Sequence, residues 1–415
     1  AVAALWALHP LNMSTVAYVV QRMTILATLF ILSGILAHVA IRQSERISVR
    51  WQLALASASM AFFTGLAAYS KETGVLLPVY ILALEATVLR SSDNDRAVQW
   101  WRRTFTVAPT ALLIGYLLYL PHWAASYGAR SFTLWERLLT QPVVLTDYLW
   151  KIASFRIYGL GVFHDDFPVY SSPLNPSVVV SITLLACALA SALVLRRHAP
   201  VISLGIMWFL VGHLLESTTV SLEIYFEHRN YLPMIGALLA AAGIIHAAST
   251  QLPTNFMRYG ALFFGGFICI VAGKTYGLAN EWGAQERIIP IWAAEHPTSK
   301  RAQRTYAHYL AGRGLAEAAI QTVEDAYKLA PTDLSLPVMS IDIACRFGAR
   351  SRFDLPTLAT LAGKHEWTNA LRPAMQSLLT GLPNGHCSDQ LGDAHALVRA
   401  IPDIRRGELR RSWIA

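Results

Sequence analysis

Charge is what this chain has little of. Asp, Glu, Lys and Arg make up 14% of its 415 residues, against about 25% in an ordinary soluble protein. A wholly soluble chain of usual surface is excluded. Neither the four cysteines nor the 13 histidines form a CxxC, an HExxH or any other metal-ligand spacing, so zinc and dithiol chemistry lack a motif. The glycine-rich loops of a P-loop or a dinucleotide site are missing too, which argues against nucleotide-driven chemistry. There is no initiator methionine and no basic-then-apolar leader. The apolar stretch from Ala1 to His9 is too short to cross a bilayer at about 1.5 Å per residue. The chain is therefore expected to begin inside a helix, as a piece of a longer protein.

What is present is apolar and comes in long runs: 54% hydrophobic residues and a mean hydropathy of +0.40. A bilayer core of about 30 Å takes roughly 20 apolar residues as helix. Eight full spans are expected, at about 23–41, 51–69, 73–90, 104–122, 178–195, 200–217, 232–249 and 257–275. None shows the alternation of a barrel strand. The expected fold class is all-α: a polytopic transmembrane bundle over 1–275, eight full spans plus a partial first helix, then a helical domain over 276–415.

The formal charge of +8 would suit nucleic acid, but in a membrane chain excess Lys and Arg mark cytoplasmic loops. Arg42, Arg46 and Arg50 share one loop; Arg90, Arg96, Arg102 and Arg103 lie two spans on, Arg196 and Arg197 two further, and Arg258 in the last loop of that parity. These face the cytoplasm, and no nucleic-acid partner is expected. The loops near 10–22, 70–72, 123–177 and 218–231, and the domain after 276, then lie outside.

The outer loops hold most of the ionisable residues near helix ends: His9 and Arg22 in the first, Lys71 and Glu72 in the second, His164, Asp165 and Asp166 in the third, Glu227, His228, Arg229 and Asn230 in the fourth. Each has a plainer reading. Arg22 could snorkel to head groups, Lys71 and Glu72 could be an interfacial pair, and His164-Asp165-Asp166 a solvated turn before Pro168. Jointly they suggest an outward polar cavity. Arg22, Lys71 and Arg229 suit a phosphate, and Asp165, Asp166 and Glu227 suit a general base or a sugar hydroxyl. The stretch Leu134-Trp135-Glu136-Arg137-Leu138-Leu139, continuing to Tyr148-Leu149-Trp150-Lys151, reads as an interfacial helix at head-group level.

After 276 the pattern changes. Ser299 to Leu310 and Leu315 to Leu329 read as paired helices about Ala311-Gly312-Arg313-Gly314. Tyr309, Leu310, Gly312, Ala318, Ala326 and Pro331 approximate one tetratricopeptide unit of about 34 residues. A generic helical hairpin is the alternative, and a weaker pair is expected at about 334–346 and 354–381. Arg405, Arg406, Arg410 and Arg411 form a basic tail. Cys187 and Cys269 fall in spans. Cys345 and Cys387 fall outside, where a disulfide is permitted, although spacing does not establish one.

Ala7-Leu8-His9-Pro10, Val19-Val20-Gln21-Arg22, Ser70-Lys71-Glu72, His164-Asp165-Asp166-Phe167-Pro168 and Glu227-His228-Arg229-Asn230-Tyr231-Leu232-Pro233, in that order and on one membrane side, carry a resemblance. The chain resembles bacterial transmembrane and tetratricopeptide-repeat proteins related to protein O-mannosyltransferases, which have the GT-C glycosyltransferase fold. The resemblance implies transfer of a hexose from a polyprenyl-phosphate donor to a hydroxyl of an extracytoplasmic acceptor protein, at a bacterial inner membrane with the C-terminal domain in the periplasm. It implies inversion at the sugar, with a carboxylate taking the acceptor proton and cations stabilising the departing lipid phosphate. No cofactor or metal is expected beyond the lipid-linked donor. In such enzymes the key acid follows the first span, upstream of this sequence, so Asp165, Asp166 and Glu227 are substitutes only. Arg229 leads for the phosphate contact, with Arg22 and Lys71 behind it. A lipid-linked glycan polymerase or ligase and a non-catalytic scaffold are the alternatives; a transporter ranks last.

Overall fold

The computed structural model describes residues 1–89, 96–249, 253–331, 333–361, 370–382, 386–387 and 390–400. Arg90, the tail arginines Arg405, Arg406, Arg410 and Arg411, the Arg258 side chain and part of the expected 354–381 helix lie outside the described residues. Among the described residues every regular element is helical. The chain divides into two compact units: Ala1–Val162 with Phe167–Gly283, and Phe163–Asp166 with Ala284–Ala415.

In the first unit, α1 (Arg22–Arg42) and α2 (Val49–Ser70) form a hairpin. A short helix, α3 (Leu77–Ala86), follows a 3-10 turn over Glu72–Leu76. Next come α4 (Arg96–Leu117), α5 (Leu134–Ser154) and α6 (Pro176–Leu195). α7 (Pro200–His213), α8 (Pro233–Ser249) and α9 (Thr254–Trp282) complete the unit.

Fewer helices reach membrane length than the eight spans expected. Among the described residues four are long and apolar enough to cross a membrane: Val19–Arg42, Val49–Ser70, Pro176–Leu195 and Tyr259–Trp282. A fifth span is available if α4 and Leu120–Gly128, bent by 47°, count as one; the bend falls beside Pro121, which lacks the N–H that would continue the helix. The expected spans 73–90, 200–217 and 232–249 form helices of 10, 14 and 17 residues. At 14 residues α7 is about 21 Å long, short of the hydrocarbon core. The sequence stays apolar past the points where helical hydrogen bonding stops, so hydropathy overstates the helix there.

α7 and α8 meet backbone to backbone. A Cβ on Gly205 would lie 2.5 Å from Ala240 N and 2.6 Å from Gly236 O, the close approach that small residues permit in apolar bundles. Elsewhere many apolar side chains of α6 and α9 stay exposed, such as Leu184, Val194, Leu262 and Phe263, as lipid-facing surfaces do. At the end of α1 away from Arg22, His38 and Arg42 both bond Glu85 Oε1 at 2.9 Å, tying α1 to α3. His38 and Glu85 are buried and Arg42 is half-buried, and the pairing makes His38 a structural residue.

α5 departs from the interfacial helix expected. Thr133 and Glu136 form a capping box at its start, and Trp135 and Trp150 are exposed. Arg137, Tyr148 and Lys151, however, are buried. Its polar residues turn into the protein rather than toward head groups.

The second unit stacks α10 (Gln285–Glu295), α11 (Lys300–Gly312), α12 (Ala316–Leu329), α13 (Ser335–Phe347), α14 (Leu355–Leu361), α15 (Leu371–Gly381) and α16 (Leu391–Ala400). α11 and α12 fall where the sequence placed the first hairpin, with Gly314 at φ +76° in the turn between them. Ala307, Ala319 and Ala326 let the helices close around Ile320 and Val323. Cys345 and Cys387 form a disulfide. α9 continues to Trp282, so the units divide at 283/284 rather than 275/276.

Candidate functional site: a buried cationic cavity

The site is built around the stretch joining α7 to α8. From Leu214 to Phe226 the backbone leaves the helix, with only a 3-10 turn, Glu227–Asn230, before α8. Irregular backbone buried in protein needs its polar groups satisfied there, and side chains of the preceding elements do this. Arg137 Nε donates to Thr218 O at 2.9 Å, and its Nη1 to Leu222 O at 2.6 Å and Glu223 O at 3.0 Å. Gln141 Nε2 donates to Ile224 O at 2.9 Å. Tyr148 Oη donates to Phe226 O at 2.8 Å and accepts from Phe226 N at 3.0 Å. Tyr127 and Arg130 hold the carbonyls of Thr219 and Ser221. α5 is thus a cradle for this loop.

The cradled loop presents Glu216, His228 and Arg229 to a cavity shared with α1 and with the turn after α2. Lys71 leaves α2 in an extended conformation, which carries its ammonium inward to Glu216 Oε1 at 2.7 Å; both side chains are buried. Arg229 is buried as well. Its Nη1 and Nη2 donate to Ile224 O at 3.0 Å and Glu223 O at 2.7 Å, while its Nε has no hydrogen-bond partner among the described residues. Burial, then the charge of Lys71, pushes His228 down to about 3, so it stands neutral at pH 7. Thr24, Thr28 and Tyr80 also line the cavity. Its walls therefore carry two cations against one carboxylate. The space is about 20 Å³, room for roughly one water. This is a closed state, and a phosphate would enter only if the walls part.

Of the residues the sequence brought forward, Lys71, His228 and Arg229 line this cavity. Glu227 does not; it is buried 3.8 Å from Lys151 Nζ. Asn230 Nδ2 donates to Glu227 O at 3.3 Å and helps close the 3-10 turn. Glu72 and Arg22 are exposed. His9 is spent on structure: Nδ1 accepts from Leu11 N at 3.1 Å, and Nε2 bonds Ile152 O at 3.0 Å. Burial, partly offset by that carbonyl, lowers its pKa to about 4.

His164, Asp165 and Asp166 belong to the second unit. Asp165 accepts from Ser299 Oγ at 2.5 Å and Arg301 N at 3.3 Å, reinforcing the N-cap of α11. Asp166 pairs with His296 Nδ1 at 2.9 Å, and His164 meets the same ring edge-on at 5.3 Å. Burial pushes the Asp166 carboxyl up, but the hydrogen bond and charge of His296 outweigh it and hold it below the ordinary range.

The sequence does not single out several residues of the site. Glu216 falls in the expected span 200–217, and Arg137 in the expected interfacial helix. Asp147 and Lys151 sit at i and i+4 on α5, 3.6 Å apart, with Tyr225 Oη donating to Asp147 Oδ2 at 2.7 Å and the Lys151 ammonium 4.6 Å above the Tyr225 ring. The i, i+4 spacing was a readable signal; the loop partners were not.

Comparison with known proteins adds nothing to this geometry: no family model, no curated protein and no solved structure matches the chain.

Proposed function

We propose that this chain belongs to a membrane glycosyltransferase of the GT-C kind, moving a hexose from a polyprenyl-phosphate donor to a hydroxyl of an extracytoplasmic acceptor protein. The observation that carries the reading is the shared cavity of Lys71 and Arg229, with the Nε of Arg229 unsatisfied. A buried guanidinium with a spare N–H is a poised contact for a phosphate oxygen. As the sugar–phosphate bond breaks, charge grows on the departing lipid phosphate. Two fixed cations in a water-poor space stabilise it more than they stabilise the intact donor. Glu216 holds Lys71 in place until the phosphate arrives. No residue here is assigned as the base that takes the acceptor proton.

The Cys345–Cys387 disulfide supports an oxidising compartment for the second unit, as a periplasmic, tetratricopeptide-like acceptor domain would require. The inner membrane remains the expected location.

The test is transfer from radiolabelled polyprenyl-phosphate mannose or glucose by the full-length protein in nanodiscs, with acceptor polypeptide present. Arg229→Lys keeps the charge but loses the fork, and is expected to slow transfer about 100-fold without changing membrane insertion. Transfer unaffected by both Arg229→Lys and Lys71→Met would remove this cavity from the mechanism. Label found in an extended lipid-linked glycan, with none on polypeptide, would replace the reading with a glycan polymerase.

A further inference from the structure

A cavity in the second unit is a separate feature. It measures about 560 Å³, within the usual range of ligand clefts. One wall is a face of α11 bearing Arg301, Arg304 and His308; Met339 of α13 and Pro373 of α15 give it an apolar floor. The charges are unevenly committed. The Asp342 carboxylate, on the opposite side, accepts from Arg346 Nε at 2.9 Å and Ser377 Oγ at 2.8 Å, so both its oxygens are engaged. Arg304 Nη1 donates to Ser335 Oγ at 2.7 Å. By contrast, Arg301 and His308 are exposed, and neither side chain makes a hydrogen bond or ion pair among the described residues. The groove has engaged the Asp342 carboxylate and leaves a guanidinium and an imidazole for a visitor. Partial burial, outweighing the Asp342 charge, holds the His308 imidazole below its usual range, so it offers a carboxylate a ring N–H and the guanidinium offers the charge.

Spacing narrows what the visitor is. From Arg301 to His308 the helix rises about 10 Å, the length of about three residues of extended chain. Arg304 and His308 are about 6 Å apart along the axis, near the repeat of alternate side chains on an extended strand. We infer that this groove binds an extended acidic peptide segment, with carboxylates at alternate positions against α11 and apolar side chains on the Met339–Pro373 floor. This rests on the transferase reading for its biological meaning, since the segment would belong to the acceptor polypeptide. Its binding chemistry stands apart from that reading.

The experiment is fluorescence anisotropy on the full chain in detergent, with a fluorescein-labelled repeat of Asp-Thr-Asp-Val and its counterpart carrying Lys for Asp. The Asp peptide should bind at least 10-fold more tightly than the Lys peptide and weaken as salt rises. Arg301→Glu combined with His308→Glu should lower its affinity at least 10-fold, with Arg301→Lys alone close to the parent. Both sites are exposed, so an unchanged thermal midpoint is expected to show that the double variant folds. Equal binding of the two peptides, indifference to the double variant, or displacement by an uncharged oligosaccharide would each overturn the inference. Arg229→Lys should leave peptide binding intact. A protein that binds the Asp peptide in this way but transfers no sugar would sink the transferase reading alone.

Discussion

The two units bury polar groups on opposite terms. In the first, charged side chains sit deep in the protein and are matched to an irregular backbone: Arg137 and Arg229 serve carbonyls of the loop between α7 and α8, and Glu216 serves Lys71. In the second, the cores around Val323, Ile341, Met375 and Leu378 are apolar. Asp333 and Asp342 are buried but bond to the regular helix Ser335–Phe347 that follows or holds them, and Asp166 with His296 lies nearer the edge. Removing a partner in the first unit strands a charge or a carbonyl where water cannot reach it. At an edge contact such as Asp166 with His296, water takes over. The same type of bond should therefore differ in worth by several-fold between the units.

The sharpest test of that contrast is Arg137→Met, which keeps bulk but strands the carbonyls of Thr218, Leu222 and Glu216, while Glu223 O keeps its bond from Arg229. At about 1–3 kcal/mol for each orphaned acceptor, a loss of about 5 kcal/mol is expected. It should appear as a collapse of the thermal midpoint and as new proteolysis between Leu214 and Phe226. Next is Glu216→Ala, which leaves Lys71 buried without its partner at a cost of about 3–5 kcal/mol. Pairing it with Lys71→Met should recover much of the loss. A midpoint that stays low in the double variant would break the pairing argument.

The disulfide comes third. Its cysteines are 42 residues apart, and closing a loop of that size is worth about 4 kcal/mol in the loop-entropy account. Cys345→Ser with Cys387→Ser should lower the stability of the second unit alone, with transfer activity at low temperature retained. Smallest is Asp166→Asn. Because the folded-state pKa of Asp166 is depressed, its contribution is present above the ordinary carboxyl pKa and lost as pH falls through the folded value. Stability of the parent should thus fall across the acidic range and that of the variant should fall less. The difference at neutral pH should stay under about 1 kcal/mol, since solvent screens the pair. A larger figure would erase the contrast between the units.

Much of the second unit was legible because the signals are local. A hydrophobic stripe at helical period, Gly314 in a turn and an N-cap at Ser299 lie within a few residues of what they determine. The membrane unit was legible as apolar helix but not as a count of spans, since composition persists across Leu76, Leu214 and Leu232 where the hydrogen-bonding pattern changes. Lys71, His228 and Arg229 were found because charges beside apolar runs stand out. Glu216 and Arg137 were not: each is explained by a partner far along the chain, and no spacing encodes that. The aspartates before Pro168 suit a base or a sugar hydroxyl by residue type; their partners, Ser299 and Arg301 at the start of α11 for Asp165 and His296 for Asp166, lie far along the chain.

The contact between Gly205 and Gly236 has a mechanical consequence. With α7 and α8 in contact at their backbones, the loop they carry is strung between anchored posts, and neither post can lean away without tearing its neighbour's packing. Any opening that admits a large guest then falls to the opposite wall, and it has to part both the Lys71–Glu216 pair and the apolar cluster that Leu76 shares with Leu215 and Leu232.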